Sequence, residues 1–519
     1  MTETPTNDGF DLAINAFEAE NYSEALALCE QFLKDNPTNL AALRLLGTIY
    51  EETNDLNQAL SCCAAILLLK PESAETLATQ GILLAKQMKY EEALSSFKHS
   101  LAIRPSHAKT LNNHGLTLIK LQKPEEAICY FDRAIAIASD NNEALINKAF
   151  TLLELHRYQE ALDNYDKAFA INASFAEAIS DRGNALLGLK RYDEALASYA
   201  WALSVKPDCN LAHYSEAYVR LLMGDLLNGW PKYEYRWEVT QPLAKRLFHQ
   251  PLWLGDASIA GKSLLIHVEQ GHGDAIQFSR YIPMLMDLGA TIYLDAYPSL
   301  KSILEPLVNP YHFIISGYPL PEFDYYCPLL SLPLAFKTTI ETIPNQTPYL
   351  SAPSTISNQA LLMPPTKKPR IGIVWQANHS NEPMRFRSIM LEMFLKIISD
   401  EYSFFIIQKE VSDVDSALLV SHPNLIDMHG HISDFGDTAT IINQLDLIIS
   451  VDTSVAHLAG ALGKPVWILL CANADWRWFI DRTDSPWYPS ATLFRQSVFG
   501  QWDDVIHNVK KSLSTFKPI

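Results

Sequence analysis

The sequence predicts two unlike architectures in one chain: an α-solenoid of paired helices, then an α/β region of two lobes, each built on a doubly wound parallel sheet. Three observations carry that prediction. A small residue returns every 34 positions, at Ala13, Gly47, Gly81, Gly115, Ala149 and Gly183. The period then stops. From about Gly261, short apolar runs alternate with amphipathic segments in two successive series, and a proline-rich stretch at 343–369 separates them.

Composition narrows the partners. At 519 residues the chain exceeds one ordinary core, and 48% hydrophobic with 19% charged residues is globular. A formal charge of −18 opposes a general nucleic-acid or anionic-membrane surface, which needs clustered positive charge, while leaving room for a local basic pocket. No integral membrane segment is expected, because the most apolar stretch, 445–470, is broken by Asp446, Asp452, His457 and Lys464. The start, Met1-Thr2-Glu3-Thr4-Pro5, has no signal-peptide apolar run. Seven scattered cysteines show no zinc-type spacing, so a reducing cytoplasm and no metal site are expected.

Each N-terminal period fits two antiparallel helices. Between Ala74 and His107, Leu77, Gly81 and Leu84 share one helical stripe, and Ala93, Phe97 and Leu101 share the next. Phe97, Phe131, Tyr165 and Tyr199 occupy matching positions in the second helix, which Pro37, Pro71, Pro105 and Pro207 terminate. The small residue is expected where the two helices cross closely. These residues resemble the tetratricopeptide repeat: six units, then a degenerate seventh, over 6–241. Asn113, Asn147 and Asp181 also recur at the 34-residue period. Such a row can hydrogen-bond an extended peptide, or it can be three solvated polar positions. The array can equally serve as an oligomerisation surface.

The second half reads element by element. Ser263 to Val268 is a strand, Gly271-His272-Gly273-Asp274 a tight turn, Ala275 to Leu288 a helix and Thr291 to Asp295 a strand, so 250–342 forms one lobe. In 370–519, strands are expected at Arg370 to Trp375, Ser403 to Gln408, Leu447 to Val451 and Val466 to Leu470. Helices are expected at Met390 to Ile398, Thr438 to Leu445 and Val455 to Leu462. Ligands of doubly wound sheets bind at the carboxyl ends of the strands, here in a cleft between lobes.

One segment stands out there. A strand ends at Asp452 and a helix opens within a few residues, with Thr453 and Ser454 at its mouth and His457 and Gly460 following. Free backbone N–H groups, two hydroxyls and the positive helix end suit a diphosphate, and Asp452 suits a sugar hydroxyl. The simpler alternative is a helix cap. The run Asp452-Thr453 with His457-Leu458, together with Gly273-Asp274, resembles the heptosyltransferase-like glycosyltransferases over roughly Trp253 to Leu513. The sets Glu269-Gln270-Gly271, Arg280-Tyr281, Asp475-Trp476-Arg477-Trp478 and Ser485-Pro486-Trp487-Tyr488 resemble bacterial proteins that fuse such repeats to such a domain.

The resemblance implies a glycosyltransferase B fold of two Rossmann-like lobes, and metal-independent, inverting transfer from a nucleotide-diphosphate sugar. That donor is a substrate rather than a cofactor. Asp274 becomes the candidate general base, with a helix cap as the alternative. A cation after the strand ending at Trp375, Arg385 or Arg387, would face the leaving diphosphate. Gln408 is a candidate for base or ribose, and Gln270, Arg477 and Trp478 for acceptor or sugar. The aromatics Trp476, Trp478, Trp487 and Tyr488 fit a sugar-stacking role or a core. Asp413-Val414-Asp415 looks like a metal motif but lies in a polar helical stretch, and it is read as solvated. The repeats imply a protein or peptide acceptor. Two other functions stay open: a non-catalytic repeat scaffold, and a glycan or small-acceptor transferase whose repeats serve assembly.

Overall fold

The computed structural model describes residues 8–239, 245–355, 358–377 and 386–518. The chain divides into two compact units, 1–212 and 213–519. Within the first, the described residues form six helical hairpins, from Asp8–Glu18 with Tyr22–Asp35 through Ala176–Gly188 with Tyr192–Val205. The turn inside each hairpin repeats in detail. Glu20, Asn54, Met88, Gln122, His156 and Lys190 all hold a left-handed backbone, with φ between 57° and 61°. None is glycine, so each turn accepts a backbone strain that the paired helices must offset.

The small residue of the period has a definite neighbour. A Cβ on Gly81 would lie 2.5 Å from Cε1 of Phe97, one on Gly115 2.5 Å from Cε1 of Phe131, and one on Gly183 2.4 Å from Cε1 of Tyr199. Close crossing is expected from the sequence, and the group that needs the space is an aromatic ring of the partner helix. Ala25, Ala59, Ala93, Ala127, Ala161 and Ala195 are all fully buried between helices.

The second unit holds two parallel sheets. Strands β1 (Ser263–His267), β2 (Thr291–Ala296), β3 (Phe313–Ile315) and β4 (Tyr325–Pro328) lie in the order β3-β2-β1-β4. Strands β5 (Arg370–Val374), β6 (Ser403–Ile406), β7 (Leu425–Asp427), β8 (Leu447–Val451), β9 (Val466–Leu470) and β10 (Ala491–Arg495) lie in the order β10-β9-β8-β5-β6-β7. Read from β5, this is the doubly wound order whose direction reverses between β5 and β8. The larger sheet packs on a core that includes Trp375, Phe404, Ile449, Leu469 and Val509.

Two expected helices are broken. The segment after the first turn becomes His272–Phe278, a 3-10 turn at Ser279–Tyr281 and a second helix at Ile282–Asp287, with Pro283 opening the last. Met390 to Ile398 becomes Leu391–Phe394 followed by a 3-10 turn. The helix Leu226–Tyr233, expected in the degenerate repeat, carries Trp230 and Tyr233 into the core of the second unit. There their rings meet Trp476 edge-on at 5.4 and 5.7 Å. Trp230 also donates its indole N–H to the Thr338 carbonyl at 2.9 Å.

Candidate active site

Strand β8 is buried along its whole length, so the chain must leave the sheet at Asp452 and turn into the helix Ser454–Ala461. Thr453 precedes that helix in an extended conformation, and its side chain makes no capping hydrogen bond. Its hydroxyl lies 3.1 Å from that of Ser450. The first-turn N–H groups therefore lack the usual side-chain acceptor. Beside them is a cleft of about 290 Å³. Its walls include Gln376 beyond β5, Gln408 and Lys409 beyond β6, Thr453 and Ser454 beyond β8, and His272 from the first lobe. It sits at the reversal point of the larger sheet, where open α/β sheets bind ligands.

A chain of charges runs beside the helix. Asp452 accepts from Arg387 at 3.2 Å, and Arg387 reaches Asp475 at 3.6 Å. Asp475 accepts from Arg477 at 2.7 Å, and Arg477 also pairs with Asp274. Four of these five side chains come from β8, the β9 exit and the β5 exit, and the fifth comes from the first lobe. Burial raises the Asp452 carboxyl, although Arg387 opposes the shift. Burial also acts to raise Asp475, but Arg477 and Arg387 outweigh it and hold that carboxyl below its ordinary range. Asp452 in turn holds Arg387 charged. Such a network is stable only while every member keeps its partner.

Asp274 sits on the first turn of His272–Phe278. One carboxylate oxygen accepts the Gly271 N–H at 2.9 Å and the other meets Arg477. Asp274 thus caps its helix, one of the two alternatives the sequence offers, and it also joins the charge chain. Upstream, Glu269 is pinned by the backbone N–H groups of Leu329 and Leu330 and by Arg236 at 3.1 Å, which fixes the end of β1. The Gln270 carbonyl accepts from Tyr297 at 2.6 Å.

His457 is buried. One ring nitrogen lies 2.9 Å from the Tyr488 hydroxyl and the other 3.8 Å from Asp452, and the ring stacks on Trp478 at 5.3 Å. Burial, aided by Arg477, pushes its pKa down to about 3, so the ring is neutral near pH 7. Both glycines of the site are explained by packing. A Cβ on Gly273 would lie 2.9 Å from His457, and one on Gly460 2.4 Å from Tyr488. Gly460 thus lets the helix approach a ring.

Other expected site residues are placed as follows. Gln408 lines the cleft, but its amide bridges the Gln376 N–H at 3.1 Å and carbonyl at 3.2 Å, tying β6 to β5. Trp478 is 1% exposed and supports His457, and Trp476, Trp487 and Tyr488 are equally buried, so the aromatic tract is core. Arg385 lies outside the described residues; Arg387 is the arginine that meets Asp452. Asp415 corrects the expectation of a solvated pair. It is buried and accepts from the Trp375 indole at 3.2 Å and from Gln376 at 2.9 Å. In the array, Asn147 donates to Asn112 at 2.9 Å and Asp181 accepts from Asn184 at 3.2 Å. Burial pushes the Asp181 carboxyl up to about 7. Asn113 is half-buried.

Sequence reasoning misses the cleft wall made by His272 and Phe435, whose rings stack at 5.2 Å, and the anchoring contacts of the buried Arg280, which it marks only within a family-like set. Arg280 donates to the Trp487 carbonyl at 2.6 Å and the Tyr349 hydroxyl at 3.0 Å. Neither carries a local signal, because their partners lie far along the chain. Among the described residues, no helix is long and apolar enough to cross a membrane, and the seven cysteines are unpaired.

Comparison with known proteins bears on the array. Residues 16–80, 72–140 and 180–228 match the tetratricopeptide repeat. Protein FlbA of Caulobacter vibrioides is 24% identical over 339 residues, which is 60% of this chain and 56% of that protein. The chain thus spans about half the length of this curated relative. Similar solved structures include YrrB, a TPR protein with an unusual peptide-binding site, at 21% identity, covering 36% of this chain and 97% of that one with a TM-score of 0.32. PilF of Pseudomonas aeruginosa is 18% identical, covering 41% of this chain and 96% of that one with a TM-score of 0.37. The N-terminal array of this chain is a run of tetratricopeptide repeats, followed by an α/β unit with parallel sheets.

Proposed function

We propose that the second unit is a glycosyltransferase that moves a sugar from a nucleotide-diphosphate donor to an acceptor hydroxyl. The observation that carries this reading is the cleft at the β5–β8 reversal, with Thr453 and Ser454 at an uncapped helix mouth and Arg387 paired to Asp452 nearby. The helix end and the hydroxyls would hold the diphosphate, and Arg387 would offset its growing charge as it leaves. Asp274 would take the acceptor proton while the acceptor oxygen bonds to the anomeric carbon, and the electron pair of the broken bond would depart with the diphosphate. The repeats would present a protein or peptide acceptor.

One observation favours a second reading, a repeat scaffold with a silent transferase-like domain. Both oxygens of Asp274 already accept a hydrogen bond, one from Gly271 and one from Arg477, so an acceptor hydroxyl would have to compete for the lone pairs that remain. Against it, Asp274, Asp452, Thr453 and His457 are all present and all converge on one region. A thermal-shift panel of nucleoside diphosphates and their sugars separates the two, because a ligand of the native state raises the melting temperature. One nucleotide class should stabilise wild type and fail to stabilise Thr453→Ala. No stabilisation at millimolar concentration would give the site to the scaffold reading.

A further inference from the structure

The repeat array contains one hole that its own pattern explains. In three repeats the space over the periodic glycine is filled by a ring sixteen residues on: Phe97 over Gly81, Phe131 over Gly115 and Tyr199 over Gly183. In the second repeat the glycine is kept at Gly47, but position 63 is cysteine. A Cβ on Gly47 would meet Cys62 only at 3.3 Å and the Ala59 carbonyl at 4.0 Å, with no ring above it. Here there is a pocket of about 140 Å³ with an apolar wall that includes Gly47, Cys62, Cys63 and Ile66 and a polar wall that includes Thr48 and Thr79.

The size and the chemistry of this pocket point to one occupant. An apolar cavity of about 150 Å³ accepts a benzene molecule. The missing group is itself a phenyl or phenol ring. Burial pushes the thiols of Cys62 and Cys63 up to about 11 and about 12, so both remain protonated at neutral pH and act as soft apolar walls. Arg44, Glu51 and Glu75 also line the pocket, Arg44 paired with Glu75 at 3.0 Å and Glu51 with Lys86 at 2.7 Å, and these partly exposed charges suit a polypeptide backbone crossing above.

We infer that this pocket is a socket for one phenylalanine or tyrosine side chain projecting from a partner polypeptide. The inserted ring completes the second repeat as Phe97 completes the third. The inference is independent of sugar transfer in the second unit.

The test uses the full-length chain and N-acetylphenylalaninamide as the probe, observed by saturation-transfer NMR, with N-acetylalaninamide as the control. Wild type and Cys63→Ala should both saturate the phenyl resonances. Cys63→Phe, which restores the repeat's own ring, should lose the signal and melt at a higher temperature. Gly47→Met plugs the socket from the opposite wall, and it should lose the signal even if Cys63→Phe packs poorly. An equal phenyl signal in wild type and both plugged variants overturns the inference. So does the absence of any phenyl signal from wild type at millimolar probe.

Discussion

Glycine does the same work in both halves of this molecule but over very different distances. In the array, Gly81, Gly115 and Gly183 each leave room for a ring sixteen residues away in the same hairpin. In the α/β unit, Gly273 leaves room for His457 and Gly460 for Tyr488. The first kind of contact is local and repeats, so its failure is absorbed by one hairpin and its neighbours. The second kind spans distant segments, and the Gly273 contact joins the two lobes, so its failure should reach the whole site. Ion pairs follow the same division. Those of the array, such as Arg157 with Glu160, are largely exposed and contribute little. The α/β unit has exposed pairs too, such as Arg482 with Asp484, but it also holds the largely buried chain from Asp274 to Asp452.

The largest test of that contrast is Arg477→Met. It leaves the half-buried Asp274 and Asp475 without their shared cation, and the loss approaches the cost of breaking a fully buried pair, about 3–5 kcal/mol. Nine of the ten tryptophans lie in residues 213–519, so indole fluorescence reports that unit. Under urea, the fluorescence transition should move to much lower denaturant while the helical circular dichroism of the array persists. Loss of both signals together would mean that the two units unfold as one and that the contrast is wrong.

Next in size is an acid effect confined to the α/β unit. His457 titrates near 6.5 when unfolded, but its folded pKa is lowered to about 3 by burial and by Arg477, with Asp475 pulling the other way. The unfolded chain therefore binds the extra proton first. Stability from this group is fully present above about pH 6.5 and falls as the pH drops toward 3. Between pH 6.5 and 4.5, the fluorescence midpoint of wild type should fall more steeply than that of His457→Gln. Parallel slopes would show that other groups govern the acid response.

The same local-against-distant division explains what the sequence discloses. The strands β1, β2, β5, β6, β8 and β9 are all legible, because each is an apolar run buried on a sheet interior. The four strands that escape prediction, β3, β4, β7 and β10, are the sheet edges, where short and partly exposed segments carry weak patterns. Asp452, Thr453 and His457 stand out because a strand end and a helix start are adjacent in sequence. That Asp274 meets Arg477, or that Gln408 spends its amide on Gln376, depends on residues that only the folded unit brings together. The engagement of Asp274 is therefore the feature of the site least accessible from the sequence.

The smallest predicted effect is the most discriminating for the array. Gly115→Ala and Gly47→Ala make the same chemical change at equivalent helix positions, so each gains about 1 kcal/mol of helix propensity. At Gly115 the new methyl meets Phe131 at 2.5 Å, and overpacking a filled core costs about 1–3 kcal/mol. At Gly47 the nearest atom is Cys62 Cβ at 3.3 Å, beside open volume into which that side chain can yield. Gly115→Ala should thus be neutral to destabilising and Gly47→Ala stabilising, read by circular dichroism as a lower urea midpoint for Gly115→Ala than for Gly47→Ala. The propensity gain cancels in the difference between them, which leaves only the cost of crowding a ring that is present in the fourth repeat and absent from the second. Equal midpoints for the two variants would mean that the second repeat closes over its missing ring.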